Sequence, residues 1–516
     1  MAFNSYVFLF VFLPIVVAGY YLLGRLFTSQ KPALAWLVGA SLVFYASLGP
    51  GYLLVLLGSV LMNYLVVRAI VGQPEGSRGR RLALTAGIVA NLLLLGFYKY
   101  TGFLAENVNA LFGTEFQAPT ATYPVGLSFY TFIQIGFLLD AYVGQFGRMT
   151  LLRYALFGTF FPYITAGPLV RHDEMASQLD SPIRARTGLM PIAVGATMFG
   201  MGLFKKVVLA DSVAPYVATL FNTASEGGSI GTASAWVGAL AYTFELYFDF
   251  SGYSDMAIGL GYMLGLRLPV NFNSPLRATS LIDFWRRWHM TMVRFFTSHV
   301  YTPMTAGIVR RTIRRRVPEP VRLLLVLCLP VFVTFVLVGF WHGAGWGFII
   351  SGAIHGVGLS VNLTWRELRA RLRLPSIPGV MGWALMMLPL VASLVFLRAA
   401  DAGSAMSVLA AMVGVGATGP APSVFYGTTT VLGLVFVPAI AWIAVLAAIA
   451  LGVPRNTQQI MARYDVALPS LPSPEPTPRE SWRWKPSVRW ALAMAVVAGI
   501  GLVFVAGPSP FLYYRF

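Results

Sequence analysis

Apolar runs of close to 20 residues recur along almost the whole of this 516-residue chain, and they limit its fold more than any motif does. A helix needs about 20 apolar residues to cross a hydrocarbon layer about 30 Å thick, so each run is a candidate span. Candidates fall at 5–24, 33–48, 52–70, 82–98, 124–143, 154–170, 188–210, 234–250, 254–266, 322–340, 345–362, 379–398, 427–451 and 490–507. The short pieces at 154–170, 254–266 and 345–362 are expected to be re-entrant or buried in the bundle, where protein or water covers irregular backbone. Hydrophobic residues make up 57% of the chain and charged residues 11%, against roughly 25% charged in an average soluble domain. A water-soluble fold is excluded. The expected class is an all-α polytopic transmembrane helix bundle with about 11–14 membrane helices, short ones included.

Lys and Arg outnumber Asp and Glu by 37 to 19, a net charge of +18. No nucleic-acid-binding module accompanies the excess, which therefore reads as the positive bias of cytoplasmic loops. Arg25 with Lys31, Arg68 with Arg78, Arg80 and Arg81, and Arg148 with Arg153 fall on alternate loops, which puts those loops in the cytoplasm and the N-terminus outside. Segments 310–316, 366–373 and 455–489 join the cytoplasmic side, whereas the uncharged 49–51 turn, the 101–123 loop with Glu106 and Glu115, and 401–426 with Asp401 are external. Five prolines in 466–480 mark a linker before the last span. The first stretch, 6–23, has no basic n-region or cleavage site and reads as a retained span. Cys328 is the one cysteine, so neither an intrachain disulfide nor a cysteine metal cage is available.

The informative residues are polar ones where lipid would be expected. Glu245, Asp249 and Asp255 lie in an apolar run and must face protein, water or a cation. Glu245 and Asp249 share a helix face, and Gly252 is expected to break the run into two half-helices. These carboxylates either line an aqueous cavity or pair with Arg267, Arg286 or Arg287. Segment 267–297 interleaves five arginines with Phe272, Phe284, Trp285 and Trp288. It predicts an amphipathic helix at the cytoplasmic interface, starting near Ser280 with Asp283 three residues on. Guanidinium pairs bidentately with phosphate and an aromatic ring stacks on adenine, so Arg286, Arg287, Trp285 and Trp288 suit a phosphorylated cofactor as well as plain anchoring.

The sharpest feature is Trp341-His342-Gly343-Ala344, which follows 18 nearly uninterrupted apolar residues. An imidazole stripped of water there stays neutral, and a neutral imidazole is a competent general base for a hydroxyl. The competing reading is a histidine satisfied by a neighbouring helix. His342 and His355 are 13 residues apart, hence about 140° from alignment if the helix is continuous. They would not be joint metal ligands, and no HExxH, His/Cys cluster or Walker A loop occurs elsewhere.

Three stretches together resemble the membrane-bound O-acyltransferase superfamily, in its bacterial polysaccharide branch typified by the membrane subunit of alginate O-acetylation. They are PVGLSFYTFIQIGFLLDAY (124–142) with FPYITAGPLVRHDEMASQL (161–179), YFDFSGYSDMAIGLGYMLGLRLPVNFNSPLRATSLIDFWRRWH (247–289), and GFWHGAGWGFIISGAIHG (339–356). Weaker similarity extends through the N-terminal spans and the PFLYYRF ending. The resemblance implies a helix bundle with a central cavity, N-terminal helices at 1–123, a catalytic core at 124–362, and C-terminal helices at 363–516 with a Pro-rich cytoplasmic loop at 452–489. It also implies that His342 is the essential histidine and His289 the second polar position of the site. One departure stands out: where family members often carry an Arg-Asp pair after this stretch, the chain has Ser298 and His299.

The activity implied is O-acetyl transfer at the bacterial inner membrane, from cytoplasmic acetyl-CoA toward an exported polysaccharide, directly or through a periplasmic or membrane-anchored acetyltransferase-like partner. His342 would be the base, Trp341 would shape the slot, His289 would hydrogen-bond near the oxyanion, and Arg286, Arg287, Trp285, Trp288, Asp249 and Asp255 would contribute to binding. No permanently bound cofactor and no metal are expected. The alternatives are D-alanyl transfer to teichoic acid, acylation of a lipid or protein, or a proton-coupled transporter using Glu245, Asp249, Asp255 and His342.

Overall fold

The computed structural model describes residues 1–119, 121–144, 149–416, 428–431, 435–452, 456–470, 480–505 and 511–512. Arg148, 417–426, Arg455, the prolines at 472–478 and the last four residues fall outside these, and with them much of the expected external loop and linker. Seven helices among the described residues are long and apolar enough to cross a membrane: Phe8–Leu26, Pro50–Val71, Arg78–Phe112, Leu189–Ala210, Glu319–His342, Trp346–Leu372 and Gly379–Arg398. Shorter apolar helices at Lys31–Ala46, Ala402–Met412, Ala439–Leu451 and Val488–Phe504 complete an all-α polytopic bundle. Many large apolar side chains on the outer helices, such as Leu54, Leu65, Leu93 and Val380, point away from protein. Lipid is the solvent that makes such a surface stable.

The centre of the bundle is the 32-residue helix Thr232–Met263, buried along nearly its whole length. Gly252 does not break it, contrary to the sequence expectation, because its missing side chain serves packing. A Cβ on Gly252 would lie 2.7 Å from the Gly202 carbonyl oxygen, and one on Gly202 would lie 2.6 Å from that of Gly252. The Leu189–Phe204 helix therefore runs against Thr232–Met263 backbone to backbone, the close approach that small residues permit between helices in membranes. The predicted spans 234–250 and 254–266 are thus one element.

Other expectations change in the same physical way. The 154–170 piece is a short helix, Leu151–Thr159, followed by buried irregular backbone, as a re-entrant segment requires. The 345–362 piece is the start of the long helix Trp346–Leu372 and is not re-entrant. Residues 101–112, read as loop, continue the Arg78–Phe112 helix through a π-helical turn at Gly96–Tyr100. The 427–451 span is a two-stranded antiparallel ribbon, Thr428–Val431 with Val435–Pro438, leading into Ala439–Leu451. Its Thr- and Val-rich start favours strand, and an apolar run alone does not separate strand from helix.

The interfacial helix expected from Ser280 is corrected too. Ser280 does cap a helix, its Oγ accepting from the Asp283 amide at 3.1 Å, but that helix ends at Trp285. A second begins at Met290 after His289 takes a left-handed backbone (φ 44°). Phe284, Trp285, Trp288, His289 and Met292 are buried, so the segment threads into the bundle instead of lying on its surface. Its aromatic rings outweigh its arginines: Trp288 packs on Phe272 and Phe284 at 5.0 and 5.5 Å.

Candidate active site

His342 is the last residue of the Glu319–His342 helix, and the chain reverses through 343–345 into Trp346–Leu372. Glycines at 339 and 352 bring the two helices together, because a Cβ at either would run into the partner's backbone. The reversal places His342 and His355 on one cavity, although on a single helix they would diverge. Trp285, Trp288 and Phe335 line the same cavity, whose free volume is about 40 Å³, room for only about three waters. His355 is fully engaged. The Trp285 indole N–H donates to its Nδ1 at 3.4 Å, and its Nε2 lies 2.8 Å from Ser393 Oγ, whose own proton goes to the Leu390 carbonyl. His355 therefore holds Trp285 in place and has no lone pair left for a substrate.

Three of the last carbonyls of the His342 helix are capped from a distant part of the chain. Lys99 Nζ donates to the carbonyls of Trp341 at 2.6 Å and His342 at 3.0 Å, and to Ser128 Oγ at 3.3 Å. The Tyr100 hydroxyl donates to the Phe340 carbonyl at 2.8 Å, and its ring stacks on Phe340. Adjacent residues face the same helix end because they sit in the π-helical turn Gly96–Tyr100. A helix C-terminus leaves its final carbonyls without intrahelical donors and carries partial negative charge, so an ammonium group satisfies both needs.

Trp341 stands beside His342 (ring centroids 4.8 Å apart) and His289 (6.1 Å), stacked on Phe132 at 5.0 Å. Asn271 fixes the imidazole of His289. Asn271 Oδ1 accepts from the amide and hydroxyl of Thr291 and lies 3.1 Å from His289 Nδ1, while its Nδ2 donates to Ser254. Facing an acceptor, Nδ1 carries the proton and Nε2 the lone pair. Neutral His289 is therefore an acceptor toward the site and not the oxyanion donor that sequence reasoning made it. On the other side of Phe132 lies a second cavity of about 140 Å³, lined by Asp140, Arg171, His172, Arg294 and His299.

The remaining predicted residues divide. Trp285 and Trp288 join the His342 cavity. Arg286 is exposed, and Arg287 is held by Asp283 at 2.8 Å. Asp249 and Asp255 pair with lysines, not with the arginines proposed from sequence: Asp249 with Lys206, which also holds Asp211, and Asp255 with Lys205 at 2.6 Å. Asp249 further accepts from the Leu512 amide, and Asp255 from Thr457 and Gln458. These carboxylates lock helices and the C-terminal segment together and do not line the His342 cavity. Sequence reasoning missed Lys99, Tyr100 and Asn271. Lys99 at the edge of an apolar run was a readable signal, whereas nothing local distinguishes Asn271. Among the described residues no group of three or more His, Cys, Asp or Glu is placed to hold a metal.

Comparison with known proteins gives the family. The model of the MBOAT, membrane-bound O-acyltransferase, family matches residues 137–397. A peptidoglycan O-acetyltransferase of Helicobacter pylori is 38% identical over 439 residues, 80% of each chain. A protein named "Probable alginate O-acetylase AlgI" from Azotobacter vinelandii is 35% identical over 81% of this chain and 79% of its own. A teichoic acid D-alanyltransferase of Streptococcus thermophilus is 28% identical over 47% of this chain and 57% of its own.

Proposed function

The chain belongs to the membrane-bound O-acyltransferase family, and we propose that it moves acetyl groups from cytoplasmic acetyl-CoA across the bacterial inner membrane for O-acetylation of an exported polysaccharide. The observation that carries this reading is His342 at a helix end, on a cavity walled by Trp285 and Trp288 in the interior of a membrane bundle. The acceptor hydroxyl gives its proton to His342 as its oxygen attacks the thioester carbonyl carbon. The tetrahedral adduct then collapses, the C–S bond breaks, and the CoA thiolate takes the proton back from the imidazolium. The exposed Arg286 is the contact for the CoA phosphates at the cytoplasmic mouth. The acceptor is the glycan itself or a partner transferase at the outer face.

Peptidoglycan and alginate relatives, each aligned over about four fifths of the chain, support a glycan acceptor and an acetyl donor. D-alanyl transfer is the weaker reading, since that relative aligns with less than half of the chain. The test is His342→Ala in the native host, with the membrane level of the protein followed and the O-acetyl and D-alanyl content of exported glycan and wall measured. Loss of O-acetyl groups alone is expected. Unchanged acetylation in correctly inserted protein overturns the reading.

A further inference from the structure

Acyl transfer needs a donor aimed at the thioester oxygen, where negative charge develops, and the two histidines do not supply it. His342 is committed as the base, and His289 presents the Nε2 lone pair because its Nδ1–H donates to Asn271 Oδ1. Beside both rings stands Trp341, only 4% exposed, whose indole Nε1 has no hydrogen-bond partner among the described residues. Its neighbours there are rings, Phe129 and Phe132, that offer the N–H no oxygen. Burying an unpaired donor costs about 1–3 kcal/mol, so a fold that keeps one against the base keeps it at the expense of its own stability. Other large apolar residues fill the same volume without that cost.

We propose that the Trp341 indole N–H is a catalytic residue's donor: it hydrogen-bonds the acetyl carbonyl oxygen and stabilises the oxyanion formed when the acceptor attacks. This rests on the acyl-transfer reading above. The indole packs beside His342, which lines the cavity with Trp285, and stacks on Phe132, which lines the cavity of Arg171 and Arg294. A thioester carbonyl brought to the imidazole of His342 would come next to the adjacent indole, whose ring centroid is 4.8 Å from that of His342. The group acts without moving a proton, so the electron balance of the step is unchanged; the carbonyl π pair rests on oxygen until the C–S bond breaks.

The experiment replaces Trp341 by β-(3-benzothienyl)alanine, which keeps the bicyclic shape and puts sulfur in place of N–H, with Trp341→Phe as a second variant. Purified protein in lipid vesicles is given acetyl-CoA and peptidoglycan fragments, and CoA thiol release, ester formation and thermal unfolding are followed. Losing one oxyanion donor is expected to lower kcat by about 10²–10³-fold, with KM for acetyl-CoA within about threefold, since the contact strengthens only in the transition state. The thermal midpoint should not fall, because the removed donor has no partner in the resting protein. Full kcat in the benzothienyl protein overturns the donor role while leaving the acyl-transfer reading intact. Absence of thioester turnover in the unsubstituted protein, both with peptidoglycan fragments and with native-host membrane extract supplying any other acceptor, overturns both. If the benzothienyl protein does not fold, 13C-labelled acetyl-CoA bound to His342→Ala protein gives the same answer. Its carbonyl stretch should shift to lower frequency only when Trp341 is present, and an identical stretch with Trp341→Phe contradicts the proposal.

Discussion

Replacing Lys99 by methionine should damage catalysis more than folding. The ammonium makes two hydrogen bonds to the carbonyls of Trp341 and His342, at 2.6 and 3.0 Å. Bonds from a charged donor contribute about 1.5–3 kcal/mol each, about 3–6 kcal/mol gross for the pair. Methionine has similar length and removes the cost of keeping an ammonium out of water, which is itself several kcal/mol. The two effects nearly cancel, leaving a net loss of about 0–3 kcal/mol in stability. Catalysis has no such compensation, because the uncapped last turn holds the imidazole itself. A displacement of about 1 Å is enough to reduce kcat about 100-fold, equivalent to about 2.7 kcal/mol of barrier. Lys99→Arg, which keeps the donors, should recover a large part of the rate. The assay is acetyl-CoA turnover by purified variants beside thermal unfolding in the same vesicles. A Lys99→Met protein with kcat within twofold of the parent would refute the capping argument.

Three further outcomes are expected. Asp249→Leu removes one of the two carboxylates paired with the buried Lys206, and should cost about 3–5 kcal/mol; adding Lys206→Met should restore most of the lost unfolding midpoint. Gly252→Val forces a side chain against the Gly202 carbonyl and the Lys206 amide, so it should destabilise by at least about 1–3 kcal/mol, read as reduced folded yield and midpoint. Asn271→Leu removes the acceptor that orients His289 and Thr291, and should lower kcat about 100-fold with the protein still inserted.

What could be read from the sequence follows from which interactions are local. The membrane class and the placement of His342 at the end of an apolar helix were legible because an apolar run and its interruption lie within about 20 residues of each other. The family likeness at 339–356 supplied the role proposed for that histidine. The pairing of His342 with His355 was not legible, since it depends on a chain reversal at 343–345 that a continuous-helix argument hides. Gly252 misled because the same missing side chain that weakens a helix also lets two helices touch, and only the partner at Gly202 tells which use is made. Of the two readings open for the carboxylates at 249 and 255, lining a cavity or pairing with cations, the structure shows the pairing. Their partners, Lys205 and Lys206, are more than 40 residues away, and the nearer arginines drew the wrong assignment. Lys99 acts on carbonyls some 240 residues further along the chain, a contact no spacing rule reveals.

The central claim is that His342 carries an acetyl group's transfer across the bundle. It is tested most directly in sealed vesicles with radiolabelled acetyl-CoA outside, peptidoglycan fragments inside, and the protein selected for one orientation. The parent should place label on the enclosed glycan, and His342→Gln, equally folded and inserted, should reduce that rate by at least about 10²-fold, the lower end of what a general base supplies. Labelling of the enclosed glycan by His342→Gln at the parent's rate would contradict the account.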